Sequence, residues 1–348
     1  MPTHSRVWRE PAHLTGDRVA WSAVPMLSTR LTDILEVDHP VMLAGMGGVS
    51  YHELVAAVSE AGGFGTFGAS TMNVERMVVE MEAAKKLTDK PWGVDLLTAA
   101  PGDLETQVRT LIDHGARVFV AGLGVPTDVV DLCHDNNVLV VSMCGKVRHA
   151  VAAVAAGCDI VVAQGTEAGG HTGQVATMAL VPQVVDAVGD KVPVVAAGGI
   201  VDGRGLAAAL ALGADGVWVG TRFIATPEAQ AVVGYKETLV NLTEDGTTIS
   251  RGYTGKTCRV VANDYTRYWE ENPGDLQPFP LQFLRSLEDG VNHLGLDENA
   301  PDVDPTREFF PAGQGAGAID SLVPAGELVE RFVAEAEAVL GRTSSMVR

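Results

Sequence analysis

The sequence predicts an α/β fold, a closed (β/α)8 TIM barrel, and three observations support this fold. From about Pro40 onward, eight short apolar runs alternate with longer, Ala-rich amphipathic segments. The runs are apolar almost throughout, which is typical of parallel strands buried on both faces. Glycine recurs at the end of the amphipathic segments, where a left-handed residue closes a helix before the next strand. Repeated β–α units of this length favour a barrel.

The predicted elements follow this alternation in chain order. The strands are the apolar runs Val41–Ala44, Phe64–Phe67, Trp92–Leu97, Arg117–Ala121, Val138–Met143, Asp159–Ala163, Val194–Ala197 and Gly216–Val219. One helix follows each of the first seven strands: Tyr51–Ala61, Val74–Leu87, Leu104–His114, Thr127–Asp135, Lys146–Ala156, Ala179–Val188 and Gly203–Leu212. An open doubly wound sheet is the alternative, but residues 45–50 (GMGGVS) lack the G-x-G-x-x-G spacing that its first turn normally carries.

The regular alternation ends after Phe223. Residues 227–311 are richer in polar, aromatic and proline residues, and we expect an insertion or lid subdomain between strand eight and a last helix, Leu322–Leu340. Such an insertion lies at the C-terminal mouth of a barrel, where active sites occur. The predicted division is an N-terminal arm (1–27), a (β/α)8 barrel (28–226), the insertion (227–311), and a closing helix and tail (312–348).

The composition restricts the class of partner. The chain has 348 residues and a formal net charge of −19, which argues against nucleic acid or an anionic membrane surface as a partner. It has no apolar run of membrane-spanning length and no signal peptide. Its four scattered cysteines have no metal-ligand spacing and suggest reduced, buried thiols. We therefore expect a soluble cytoplasmic protein acting on a small molecule; the oligomeric state stays open, a homo-oligomer included.

The loop after strand six carries the strongest chemical signal. Residues 164–173 read QGTEAGGHTG, so four glycines surround the single imidazole of His171. Such a loop can lie close against a flat ligand and hold a titratable group above it. We expect a catalytic role for His171, either binding the substrate or removing a proton. Gln164, at the strand end, suits either the edge of a heterocycle or a neighbouring backbone group.

Glycine turns also follow strands seven and eight, at Gly198-Gly199 and Gly220-Thr221. In this fold that pair of turns forms a common phosphate site, made by backbone N–H groups and a short helix N-terminus.

Charged residues also fall on this predicted face. Asp95 lies within an apolar run, so its carboxyl must be paired or protonated. For Glu167 and Lys146 the sequence favours solvated loop charges over a role in the site.

The segments around these residues resemble the nitronate monooxygenase (2-nitropropane dioxygenase) family of FMN-dependent barrels, whose relatives include flavin-dependent enoyl-ACP reductases and NADH:quinone reductases. The matching segments are residues 40–50, 56–65 (AAVSEAGGFG), 90–97 (KPWGVDLL), 163–173 (AQGTEAGGHTG) and 194–226, with Tyr235-Lys236 and residues 313–317 (GQGAG).

The resemblance implies a non-covalent FMN and a set of residues that hold it. The phosphate would bind the backbones of Gly198-Gly199 and Gly220-Thr221, and the histidine of the family's GGH motif falls on His171. The full set of cofactor-binding positions is Met46, Asp95, Gln164, Gly169, Gly170, Gly198, Gly199, Trp218, Val219, Gly220 and Thr221. No metal is expected.

Two departures from the family pattern leave the activity open. Asp95 stands where the family usually has Asn, and residues 143–150 look more like the quinone-reductase branch. The resemblance implies oxidation of alkyl nitronates, such as propionate 3-nitronate, with O2 to a carbonyl compound and nitrite, with His171 supplying a hydrogen bond, positive charge or general base. The alternatives are an NAD(P)H-dependent FMN reductase of an enoyl thioester or quinone, and a non-catalytic flavin carrier. A barrel like inosine-monophosphate dehydrogenase would need a cysteine in residues 167–173, which has none.

Overall fold

The computed structural model describes residues 27–98, 103–122, 124–296, 300 and 303–347. The predicted N-terminal arm therefore lies outside the described residues, except for its last residue.

Eight parallel strands form the barrel, as predicted. They are β1 (Val41–Leu43), β2 (Gly65–Gly68), β3 (Trp92–Leu97), β4 (Val118–Gly122), β5 (Leu139–Cys144), β6 (Ile160–Gln164), β8 (Val194–Ala197) and β9 (Gly216–Val219). Their order around the sheet is β1-β9-β8-β6-β5-β4-β3-β2. A parallel bridge between Met42 and Phe64, with the Leu43 N–H donating to the Phe64 carbonyl at 2.9 Å, joins the first and last strands of this order and closes the ring.

The predicted helices lie between the strands, with ends shifted by up to about three residues. The helices up to the last barrel strand are α1 (Arg30–Leu35), α2 (His52–Glu60), α3 (Val74–Ala84), α4 (Leu104–Asp113), α5 (Thr127–His134), α6 (Val147–Ala155), α7 (Thr177–Val188) and α8 (Gly203–Ala211). The later ones are α9 (Thr221–Ile224), α10 (Val233–Val240), α11 (Asp264–Glu271), α12 (Leu281–Glu288) and α13 (Ala325–Ser344).

The two faces of each strand pack into different layers, which explains why the strands are apolar throughout. Met42 belongs to the cluster inside the barrel, with Val120, Val162 and Trp218. Its neighbours in β1 belong to the cluster between the strands and the surrounding helices. Successive side chains of a strand point to opposite faces, so both faces here meet apolar surface.

The segment after the barrel adds a small antiparallel sheet. Strands β10 (Thr247–Ser250) and β11 (Cys258–Val261) pair with each other, and β11 also pairs with the two-residue strand β7 (Gly170–His171) from the loop after β6. An aromatic cluster that includes Tyr253, Tyr265 and Trp269 packs behind β11. The division of the chain into the domains named above stays a prediction.

The last helix begins later than predicted. Pro324 is the N-cap of α13 and has an extended backbone, so residues 322 and 323 precede the helix. Proline disfavours helical geometry in the residue before it, which accounts for the shift. All four cysteines are buried and none forms a disulfide. Among the described residues, no helix is long and apolar enough to cross a membrane.

Candidate active site

The C-terminal mouth of the barrel brings together residues that are far apart in sequence. A Cβ on Gly220, after β9, would lie 3.3 Å from the sulfur of Met46, which follows β1. A Cβ on Gly45 would lie 2.2 Å from the Cβ of Asp95. The absence of a side chain at Gly45 therefore gives Asp95 its room. Met46, Asp95 and Gly220 share one end of the barrel, as the barrel prediction requires.

The glycine turns after β8 and β9 lie at the ends of neighbouring barrel strands. Gly198 and Gly199 have φ angles of +107° and +74°, which side-chain-bearing residues rarely adopt. Within the described part of the chain, the N–H groups of Gly199, Gly220 and Thr221 donate to no acceptor. Free N–H groups arranged in this way suit an anion such as a phosphate.

The loop after β6 is folded back on itself by its own polar groups. The Gln164 side-chain nitrogen donates to the His171 carbonyl at 3.0 Å, and the Thr172 hydroxyl donates to the Gly165 carbonyl at 3.1 Å. Gln164 thus satisfies a neighbouring backbone group, one of its two predicted roles. A cofactor contact through its side-chain oxygen stays a prediction.

Glu167 is not a solvated loop charge, so that prediction is wrong. Its Oε2 accepts from the main-chain N–H and the hydroxyl of Thr177, at 2.8 and 2.7 Å. The same hydroxyl lies 3.1 Å from the Gly198 carbonyl. A carboxylate at the start of helix α7 is favourably placed, because the first N–H groups of a helix lack partners within it. Glu167 therefore ties the His171 loop to the turn after β8.

A second tie comes from the insertion. In the ladder between β7 and β11, Gly170 lies opposite Arg259 and His171 lies opposite Cys258. The Arg259 guanidinium, only 6% exposed, donates to the Thr166 carbonyl at 2.8 Å and to the Thr247 hydroxyl at 3.2 Å. His171 is therefore held by a strand that belongs to the insertion.

The imidazole of His171 is neutral near pH 7. Burial, with the charge of Lys256 as a smaller cause, lowers its pKa to about 4. Its Nε2 lies 3.1 Å from the hydroxyl of Thr254, which is buried. Desolvation therefore disfavours the imidazolium in this site, and a positive charge supplied by His171 stays a prediction.

The sequence context required the carboxyl of Asp95 to be either paired or protonated, and the structure favours the protonated state. Within the described residues no group hydrogen-bonds or pairs with its carboxyl, and burial raises its pKa to about 8. At neutral pH the carboxyl therefore carries its proton and can donate a hydrogen bond into the mouth of the barrel.

Three other residues named from the sequence lie in three different surroundings. The Trp218 side chain lies in the cluster inside the barrel, whereas the Val219 side chain lies in the layer between strands and helices. Val219 could therefore meet a ligand only through its backbone, whose carbonyl already accepts from the Ala44 N–H at 2.8 Å. Lys146 is the N-cap of α6, at the end of β5, and is half-buried.

Sequence reasoning missed three residues and one turn of this site. Thr254, Lys256 and Arg259 lie in the insertion, and no periodicity links them to the barrel. The 313–317 turn matched the family pattern but had no assigned place. The Gly313 N–H donates to the Thr221 hydroxyl at 3.0 Å, and a Cβ on Gly315 would lie 3.1 Å from the Gly199 carbonyl. This turn therefore packs against both glycine turns; its family match was the only available signal.

Known proteins are similar to this chain in sequence and in fold. A 5-hydroxy-7a-methyl-1-oxo-octahydro-1H-indene-4-carboxyl-CoA dehydrogenase of Mycobacterium tuberculosis is 33% identical, over 92% of this chain and 99% of its own. The FabK structure from Thermotoga maritima has a TM-score of 0.84 and 33% identity, covering 92% of this chain and 99% of that one. A nitroalkane oxidase from Streptomyces ansochromogenes has a TM-score of 0.78 and 30% identity, covering 90% and 99%.

The sequence profile of the nitronate monooxygenase family matches residues 28–107 and 98–335. These two ranges span most of the described barrel, the His171 loop and the insertion. The protein is an oxidoreductase of the TIM-barrel type, and the chain belongs to the nitronate monooxygenase family.

Proposed function

We propose that this protein is an FMN-dependent enzyme that oxidises alkyl nitronates, such as propionate 3-nitronate, with O2 to a carbonyl compound and nitrite. The observation that carries the proposal is a neutral histidine, His171, in the loop that Glu167 and Thr177 connect to the glycine turn after β8. The family match and the similarity to a nitroalkane oxidase support the substrate class.

The residues at the mouth fit FMN. The free N–H groups of Gly199, Gly220 and Thr221 suit its phosphate, and side chains at Gly198 and Gly199 would need backbone conformations that only glycine adopts readily. Met46, Asp95, Gln164, Gly169 and Gly170 lie on the same side and would meet the ring system. When bound there, FMN supplies the electron-transfer chemistry that no side chain of this chain can perform.

The protein's own part is acid–base and electrostatic. A neutral imidazole is the form that can take the α-proton of a nitroalkane, which makes His171 a general base. The nitronate formed in this way is an anion, and it would lie beside the protonated His171 and within the field of Lys256. Overall, two nitronates and one O2 would give two carbonyl compounds and two nitrite ions, so each substrate carbon gains one oxygen atom as its C–N bond breaks.

The test is anaerobic mixing of the purified yellow protein with a nitroalkane, with its nitronate, and separately with NADH and NADPH, following the visible flavin absorbance. Bleaching by the nitro compounds, together with nitrite release once O2 is admitted, is the expected result. No bleaching by either nitro compound would contradict the proposal.

An FMN reductase that uses NAD(P)H on an enoyl thioester or a quinone is the second candidate. The similarity to FabK and to a carboxyl-CoA dehydrogenase favours it, because the same scaffold can serve several reactions. Bleaching by NADH or NADPH, with none by the nitro compounds, would select it. A cytoplasmic location, a homo-oligomer and the lack of nucleic-acid or membrane partners stay predictions from composition.

A further inference from the structure

Thr254 is the only described residue whose side chain hydrogen-bonds the His171 ring. It lies in the turn before β11 and is 3% exposed. The turn is itself fixed: the Gly255 N–H donates to the Arg251 carbonyl at 2.8 Å, and Arg251 Nε donates to the Gly255 carbonyl at 3.0 Å. The Thr254 hydroxyl is therefore a well-placed partner for the ring.

The hydrogen bonds around this hydroxyl decide where the ring proton lies. The Thr254 oxygen accepts from the Lys256 N–H and lies 3.2 Å from the Lys256 carbonyl. Within the described residues no other group donates to that carbonyl. A hydroxyl has one proton, and this partly buried carbonyl has no other described donor to satisfy it. The hydroxyl proton therefore goes to Lys256, and the oxygen must accept from His171 Nε2–H.

This assignment leaves Nδ1 without a proton in the neutral ring. Nδ1 has no hydrogen-bond partner among the described residues, yet it is not one of the fully enclosed polar atoms. A nitrogen with a free lone pair that solvent can reach is what a general base requires.

We propose that Thr254 is a positioning residue that holds the proton of His171 on Nε2 and so presents Nδ1 as the base. This inference rests on the proposed role of His171. It adds which ring nitrogen acts as the base, Nδ1, and which residue selects it, Thr254. It also makes the insertion, rather than the barrel, responsible for the state of the base.

The direct test is the tautomer of His171, measured by long-range proton–nitrogen NMR on the holoenzyme labelled with ¹⁵N-histidine. The His171 signals are assigned by their loss in His171→Gln. The expected result is a protonated Nε2 and a bare Nδ1 in the wild type and in Thr254→Ser. In Thr254→Val, which keeps the size but removes the hydroxyl, we expect both tautomers. Thr248→Val is the matched control, because no described residue hydrogen-bonds the Thr248 hydroxyl. The tautomer of His171 in this variant should be that of the wild type.

Kinetics give the second readout. Thr254→Val should slow flavin reduction by a neutral nitroalkane by roughly tenfold, well short of the ~10⁴-fold loss from an enforced wrong tautomer. It should leave reduction by the preformed nitronate within about twofold, because no proton is removed from that substrate. Thr254→Ser should restore the wild-type rate.

Two results would overturn the inference: a proton on Nδ1 in the wild type, or a single Nε2–H tautomer that persists in Thr254→Val. The NMR result needs no turnover, so it stands whether or not nitro compounds prove to be substrates. If the NMR results are as expected but the enzyme has no activity on nitro compounds, the proposed function is contradicted and the positioning role of Thr254 is still supported.

Discussion

Cys258 lies directly opposite His171 in the antiparallel ladder between β11 and β7. The pairing joins the histidine loop of the barrel to the insertion that follows the eighth barrel strand. The glycine turns after β8 and β9, in contrast, belong to the barrel itself. The glycine turns proposed to hold the phosphate and the strand that pairs with His171 thus lie in different parts of the chain, which can be tested separately.

Arg259→Met tests the support from the insertion. The change keeps an apolar stem but removes the donor to the Thr166 carbonyl, which costs about 1–3 kcal/mol when the carbonyl is left buried and unpaired. We expect faster hydrogen exchange in a peptide spanning residues 164–173 and slower turnover, with flavin retained. Arg267→Met, at an exposed position, is the control. Unchanged exchange in Arg259→Met would contradict the role of this tie.

His171→Ala should keep FMN bound, because no glycine turn is altered. Loss of the general base should slow flavin reduction by a neutral nitroalkane by ~10²–10⁴-fold. Reduction by the preformed nitronate should fall much less. Stopped-flow absorbance with both substrates checks this, and equal losses for the two would argue for a binding role instead of proton removal.

The pH dependence of that step follows from the lowered pKa of His171. Because the folded pKa is about 4, below the usual value near 6.5, the base stays unprotonated throughout the range from 5 to 7. The rate of nitroalkane deprotonation should therefore stay level there and fall only as the pH approaches 4. A fall centred near pH 6.5 would show that the imidazole is not desolvated as the structure indicates.

Gly199→Val should abolish FMN binding. A side chain there would have to adopt a φ near +74°, and its Cβ would lie 3.3 Å from the Cβ of Glu167, so the turn would have to shift. Gly115→Val is the matched control, since Gly115 has a φ of +80° and a Cβ there meets nothing within 4 Å. Both variants carry similar backbone strain, but only Gly199→Val should purify colourless. Normal flavin content in Gly199→Val would exclude the glycine turn as the phosphate site.

Asp95→Asn should change how stability depends on pH. The folded pKa of Asp95 is raised to about 8, so its contribution is complete below about pH 4 and is lost as the pH rises through 8. The wild type should therefore lose stability relative to Asp95→Asn between pH 5 and 8, by at most ~1.4 kcal/mol per pH unit. Urea unfolding at several pH values measures this, with exposed Asp113→Asn as the control. If the free energy of unfolding changes with pH in the same way in the wild type and in Asp95→Asn, the pKa of Asp95 is not raised by folding.

The barrel was predictable because its signals are local. Apolar runs and the glycines that end helices, such as Gly115 and Gly157 with positive φ angles, fix the strand and helix order within a few residues. The same locality explains the prediction of the two glycine turns, which follow strand ends; the other cofactor positions came from the family resemblance. The glycine turns could be identified from local sequence, without knowing which distant residues contact them.

The environment of His171 was not predictable in this way. Strand β7 has two residues, one of them glycine, and exists only because β11 lies beside it. The hydrogen bonds of Glu167 depend on Thr177 across the loop, and the neutral state of His171 depends on its burial and, to a smaller extent, on the charge of Lys256 in the insertion. Each is a long-range contact that neither hydrophobic period nor local propensity encodes.

The pairing of β7 with β11 also sets an order of events during synthesis. All eight barrel strands have been translated by Val219, whereas the partner of His171 is translated only with Cys258. Contacts between distant parts of a chain form late, because closing a long loop costs entropy before the contact rewards it. The eight strands can therefore pair with one another before His171 has a partner strand, so the loop that carries His171 gains that partner only after the strands of the barrel have been made.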